Sequence, residues 1–142
     1  MGFKVYLQAD EDGLMFYIFA LIATTNKHCI DIAAGHPVGA NSINLIVNWG
    51  WHGLLIEGSP DLVASSQQFY AKNPNTFIFP PQVVNAWVTA ESINSLIAEH
   101  GFTGEIDLLS LDIDGIDYWL RDRLEVVKPR VIMVEYSYSQ SD

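Results

Sequence analysis

The sequence predicts a three-layer α/β domain in which about five parallel strands are covered by helices on both faces, and three segments carry that prediction. Ile106 to Asp117 reads I-D-L-L-S-L-D-I-D-G-I-D, where Leu108, Leu109, Leu111 and Ile113 form the near-continuous apolar run of a strand buried on both sides. His28 to Gly39 (H-C-I-D-I-A-A-G-H-P-V-G) places a short β-branched strand before two glycines and a helical pattern. Trp51 to Pro60 (W-H-G-L-L-I-E-G-S-P) is a further apolar strand and ends on Glu57. Strand and helix alternate at short intervals from there on, which is the pattern of a doubly wound sheet built from right-handed crossovers.

The length of 142 residues suits one domain, so residues 1–142 are read as a single unit. Its first element, Gly13 to Ala23, is apolar but about half as long as a bilayer span. Asp10, Glu11 and Asp12 precede it, where a signal peptide would be basic. It reads as a helix with an acidic first turn and its apolar face on the sheet, the alternative being a membrane-surface or partner contact. Strands are expected at Cys29 to Ala33, Gly53 to Glu57, Val83 to Val88, Leu108 to Ile113 and Val131 to Glu135. The helices between them are Ser42 to Asn48, Pro60 to Tyr70, Ser92 to His100 and Tyr118 to Val127, the last closed by Pro129. Trp49, Trp51, Tyr118 and Trp119 flank these elements and are expected to cover the sheet or line an apolar pocket. The single cysteine, Cys29, lies in the first strand as a small buried hydrophobe, which excludes a disulfide framework and makes the cytoplasm the expected compartment.

Composition narrows the partners. With 17 acidic against 7 basic residues the formal net charge is −10, which argues against nucleic acid, because neutralising phosphates needs Lys and Arg. Small or cationic ligands suit such a chain better. In open α/β sheets ligands sit beyond the carboxyl ends of the strands, so Asp112, Asp114 and Asp117 are candidates to face one. Asp112 and Asp114 alternate sides along the strand, and either could instead cap the next helix. Small residues at the first strand's exit let backbone N–H groups approach a ligand. Glu57 lies about twenty positions past that turn, where an acid accepts hydrogen bonds from ribose hydroxyls, or is simply solvated. Trp87 could stack on adenine or belong to the core. His36 could act as a base at the pocket mouth or only shape the turn with Pro37, and Glu135 and Tyr136 could bind or deprotonate a substrate hydroxyl. A divalent metal on Asp112, Asp114 and Glu135 is chemically reasonable, although no metal-ligand pattern marks one. His28, His52 and His100 read as structural.

The motifs D-I-A-A-G (Asp31 to Gly35), L-L-I-E-G (Leu54 to Gly58), D-L-L-S-L-D-I-D-G (Asp107 to Gly115) and V-E-Y (Val134 to Tyr136) resemble the class I S-adenosylmethionine-dependent methyltransferases, and more narrowly their FkbM-like branch, from about Leu14 to Tyr136. The resemblance implies a Rossmann-like sheet with S-adenosylmethionine as cofactor. Asp31, Ala33 and Gly35 would shape the turn against its methionine part, Glu57 would meet the ribose and Asp112 the amino acid end; Gly58 and, from its position alone, Trp87 are further cofactor-binding candidates. Asp114, Glu135 and His36 are then the candidates for the catalytic groups. The implied reaction is O-methylation of a small-molecule or sugar hydroxyl. One departure is His36-Pro37, where such enzymes carry another glycine or acid, and it supports an alternative: a catalytically silent binding or assembly module. A dinucleotide oxidoreductase fits less well, since Gly35 to Gly39 lacks the closely spaced glycine pair. The resembled fold ends in an antiparallel hairpin that is missing here, so the fifth strand is expected to be an open edge through which two copies could pair.

Overall fold

The computed structural model describes residues 11–34, 40–112 and 117–134, along which five helices and five strands alternate. These are α1 (Glu11–Ile22), β1 (His28–Ile32), α2 (Ile43–Trp49), β2 (His52–Glu57), α3 (Pro60–Lys72), β3 (Gln82–Asn85), α4 (Ile93–Glu99), β4 (Gly104–Leu111), α5 (Asp117–Arg123) and β5 (Val127–Val134). The strands form one parallel sheet in the order β3-β2-β1-β4-β5. The chain therefore winds outward from β1 to β3 and returns to the other side of β1, so its direction reverses between β1 and β4. The expected Rossmann-like architecture is present.

Alternation of side chains along each strand feeds two cores. Cys29, Leu55 and Leu108 face α1, α2 and α3 through Met15, Phe19, Ile43, Ile46 and Tyr70. Ile30, Ile32, Leu54, Ile56, Leu109 and Leu111 face α4 and α5 through Ile93, Ile97 and Leu120. Burial on both faces is why these strands read as apolar runs. The first core is tightest at Gly53, where a Cβ would stand 2.7 Å from Ile46 Cδ1 and 3.4 Å from Cys29 Sγ. A side chain there would push the tip of Ile46 aside, so glycine lets α2 pack on β2 without that shift.

Several expected boundaries move. β1 ends at Ile32 and not at Ala33, because Ala33 takes φ +61° and turns out of the ladder. β3 stops at Asn85, opposite the last residue of β2, leaving residues 86–88 off the sheet. β4 begins at Gly104, four residues before Leu108, since Gly104, Glu105 and Ile106 pair with Val127, Lys128 and Pro129. Val127 is thus strand and not helix. Pro129 sits inside β5, as a strand paired on one side among the described residues allows. What ends α5 is Asn94 on α4: its Oδ1 accepts from the N–H groups of Glu125 (2.8 Å) and Val126 (3.0 Å), and its Nδ2 donates to the Arg123 carbonyl (2.7 Å).

α1 is held at its carboxyl end by a buried carboxylate. Asp107 on β4 accepts from the N–H groups of Thr25 (2.9 Å), Asn26 (3.1 Å) and Lys27 (2.8 Å) and pairs with Arg130 of β5 at 2.9 Å. Arg130 also donates to the carbonyls of Ala23 (2.9 Å) and Ile22 (3.0 Å), the open end of the helix. Met15 and Phe19 are buried, whereas Leu14, Tyr17 and Leu21 on the other side of α1 are exposed. No helix among the described residues is long and apolar enough to cross a membrane.

Candidate functional site

The reversal between β1 and β4 opens a crevice beyond the carboxyl ends of the strands. Asp31, next to last in β1, lies between Leu55 of β2 and Ser110 of β4. It is 1% exposed and accepts from the Ser42 N–H (3.3 Å) and Ser42 Oγ (3.0 Å) at the start of α2. Asn41 Nδ2 in turn donates to Ser110 Oγ at 2.8 Å, which makes a small buried polar network under the crevice. Burial pushes the Asp31 carboxyl up to about 7; the Ser42 and Ser110 hydrogen bonds pull the other way, and the charge of Asp112 adds to the rise. Its neighbours on this face offer no positive charge: burial, with Asp31 nearby, pushes the Cys29 thiol and the Tyr70 hydroxyl upward, so both stay neutral.

After Asp31 the backbone turns at Ala33, whose N–H donates to the Ile56 carbonyl at 2.8 Å, followed by that of Ala34 at 3.2 Å. This fastens the exit of β1 over β2. Glu57 ends β2, half-buried, and its Oε1 accepts from the Ser59 N–H at 2.9 Å, which fixes the carboxylate at the start of α3. Asn85 clamps the same turn by donating to the carbonyls of Glu57 and Gly58, both at 3.0 Å. Trp87 is 80% exposed and therefore not core. Its ring lies over Gly58, where a Cβ would come within 2.5 Å of the indole carbons. Glycine at 58 is what gives the ring its seat. Asp112 follows β4, exposed, with its N–H donating to the Ile32 carbonyl at 3.1 Å, so it is tied across the reversal point to the end of β1.

Ala33, Glu57, Gly58, Trp87 and Asp112 thus lie at or just beyond the carboxyl ends of the strands, with Asp31 buried beneath them. Gly35, His36, Asp114 and Glu135 lie outside the described residues, as does Ile113, and so do the side chains of Asp117, Tyr118 and Trp119. Among the described residues no three His, Cys, Asp or Glu groups are placed to hold a metal ion. His28 and His52, opposite each other in register, join an aromatic cluster with Phe102 at the other end of the strands. His100 Nδ1 lies 2.7 Å from the Leu96 carbonyl.

Sequence reasoning missed Ser42, Ser110 and Asn41, which support the rim from below, and placed Asn85 at the third strand's exit without its clamp on Glu57 and Gly58. It also missed the segregation of charge. Lys27 precedes β1, Lys72 ends α3, Arg121 and Arg123 lie in the last turn of α5, and Lys128 and Arg130 belong to the first half of β5. Every lysine and arginine among the described residues therefore lies toward the amino ends of the strands, and the crevice rim is acidic. Such a rim accepts hydroxyl and ammonium donors.

No protein-family model and no curated protein sequence matches this chain. A solved structure assigned as a protein-L-isoaspartate O-methyltransferase from Plasmodium falciparum, in complex with S-adenosyl-L-homocysteine, is similar to it with a TM-score of 0.53 and 18% identity. The two share a fold. The match covers 97% of this chain and 66% of the Plasmodium chain.

Proposed function

We propose that this chain is a class I methyltransferase domain that binds S-adenosylmethionine in the crevice at the β1/β4 reversal. The observation that carries the reading is the placement of charge: Glu57 and Asp112 at the crevice, with Asp31 buried beneath them and short of a cation, and the described cations at the opposite end, suit a nucleoside that carries a positive charge. The S-adenosyl-L-homocysteine held by the Plasmodium structure of the same fold supports it.

The described residues fit that ligand. Glu57, fixed by Ser59, presents a carboxylate to the ribose hydroxyls, the accessible face of Trp87 takes the adenine, and Asp112 favours the ammonium end, with Asp31 acting from beneath through its missing counter-charge. When bound, the cofactor supplies a methyl group on a sulfonium. The chain's contribution is to align an acceptor hydroxyl with that methyl in line with the breaking carbon–sulfur bond and to take up its proton. The bond's electron pair goes to sulfur, leaving S-adenosylhomocysteine. Asp114, Glu135 and His36 are the groups assigned to the proton and the acceptor, and the acceptor class is a small-molecule or sugar hydroxyl, as for the FkbM-like branch. The same reading lets two copies pair along the edge of β5 that is unpaired among the described residues, which sedimentation at tens of micromolar would detect as a dimer.

Isothermal titration with S-adenosylmethionine and S-adenosylhomocysteine tests this, with Glu57→Gln as control. Binding of both, weakened in the variant, supports it; displacement by NAD but not by S-adenosylhomocysteine would overturn it. Binding without turnover across an acceptor panel would reduce the protein to a silent cofactor-binding module.

A further inference from the structure

A cleft of about 190 Å³ opens between α1 and α2 on the first face of the sheet, away from the crevice. Its walls are two aromatic pairs: Phe16 against Trp49 with ring centroids 5.4 Å apart, and Phe19 edge-on to Trp51 at 4.9 Å. Leu45 also lines it. Trp51 directly precedes β2 and Lys27 directly precedes β1, so the cleft lies toward the amino ends of the strands. Phe16 and Trp49 remain 48% and 49% exposed although their rings touch. Aromatic surface of that kind, concave and half-wet, is what a small apolar body covers. For scale, an apolar cavity of roughly 150 Å³ accommodates benzene.

The rim is polar on one side only. Lys27 and Thr24 line it, and Lys27 forms no ion pair among the described residues, in contrast to Arg130, which is engaged by Asp107 and two carbonyls. The turn that carries them is set in advance. Ala23 and Lys27 hold φ of +59° and +56°, and Asp107 grips the three N–H groups between Thr25 and Lys27. The backbone that carries Lys27 is fixed while its ammonium stays free to reach the cleft, and a cation beside an aromatic cleft selects an anion attached to a ring.

We propose that this cleft is a second ligand site, which takes a small monocarboxylate bearing a single aromatic ring, the ring between the two aromatic pairs and the carboxylate on Lys27. It does not depend on the methyltransferase reading.

Phenylacetate is the probe, with benzyl alcohol and phenethylamine as the neutral and cationic comparisons, read through the indole N–H resonances of the tryptophans in ¹⁵N spectra of the whole chain. Trp49 and Trp51 should shift saturably with phenylacetate at a dissociation constant of about a millimolar or tighter, and Trp87 should not move. Lys27→Gln should weaken binding about fivefold and remove the preference for the acid. Ala20→Leu, on the exposed side of α1 at the mouth of the cleft, should block it. The proposal falls if the three compounds shift the same signals equally, if nothing saturates, or if Lys27→Gln binds as well as the parent. It also falls if the shifts track protein concentration, which would mean a second copy occupies the cleft. Should Ala20→Leu not fold, Lys27→Gln alone still decides.

Discussion

Asp31 and Asp107 lie on neighbouring strands, are almost equally hidden from water, and depart from the ordinary carboxyl in opposite directions. At Asp107, burial alone would raise the carboxyl, but the Arg130 guanidinium and the N–H groups of Thr25, Lys27 and Asn26 outweigh it and hold the group below its ordinary value. At Asp31 two hydrogen bonds from Ser42 and one from Ser110 fall short of the burial penalty, and the carboxyl rises to about 7. A buried acid is stable as an anion when it has a cation and several donors; with donors alone it keeps its proton. Asp107 is thus a fastening at the amino ends of the strands, and Asp31, at the carboxyl ends, is left short of positive charge that a ligand can supply.

The largest test of that contrast is the pH dependence of stability. Unfolded aspartate titrates near 3.9. Between about 4 and about 7, folded Asp31 keeps a proton that the unfolded chain has lost, so its contribution to stability falls as pH rises through that window and is level above it. The span corresponds to roughly 4 kcal/mol. Asp107 acts in the other direction: its contribution is fully present above the unfolded value and is lost as pH falls through the depressed folded value. Urea midpoints from pH 4.5 to 8 should fall in the parent and stay nearly level in Asp31→Asn. A parent curve as level as the variant's would mean that a cation already answers Asp31.

Next in size is the fastening itself. Asp107→Ala leaves Arg130 and three backbone donors without their acceptor and should lower stability by about 3 kcal/mol, toward the low end for a buried pair because Arg130 is partly exposed. Arg130→Met, which spares the backbone bonds, should cost about half as much. Hydrogen exchange should show α1 opening before the sheet in both variants. Loss spread evenly over all strands would mean that Asp107 supports the sheet and not the helix.

What the sequence disclosed follows from the range of the forces involved. The strand cores were legible because burial on both faces leaves a local mark, as in L-L-S-L at residues 108–111. Where strands begin and stop was less legible, since a partner decides it: Gly104 is strand because Val127 lies opposite, and α5 stops at Arg123 because Asn94 reaches over from α4. Glu57, Asp31 and Asp112 could be singled out as acids at strand exits, yet the proton on Asp31 depends on Ser42 and Ser110, which come from two other elements. Trp87 could be read either way until Gly58 provided a seat for its ring. The crowding of cations at one end was written in the positions of Lys72, Arg121 and Arg123 at helix ends, and becomes visible once every helix is known to run back toward the strand starts.

A smaller effect separates the ligand side from the structural side. Glu57→Gln keeps an acceptor for the Ser59 N–H but removes the charge, so it should change stability by well under 1 kcal/mol while weakening S-adenosylmethionine about tenfold, the worth of a charged acceptor over a neutral one. Calorimetric titration and a thermal melt on the same sample read both. Equal losses in the two would make Glu57 a cap of α3 and nothing more.

The smallest expected effect concerns Ala33, where the exit of β1 adopts a left-handed conformation that an L-residue with a Cβ resists by about 1 kcal/mol. Glycine would relieve that strain but gains freedom in the unfolded chain worth about half as much, so Ala33→Gly should stabilise by roughly 0.5 kcal/mol. A rise of a degree or two in the melting temperature would register it. The sign matters more than the size. The N–H groups of Ala33 and Ala34 both reach the Ile56 carbonyl, so the turn is over-determined by β2 and should keep its shape in the variant. If stability instead falls, the methyl group of Ala33 contributes packing that outweighs its strain, and the turn at the crevice belongs with Asp107 among the fastenings and not with Asp31.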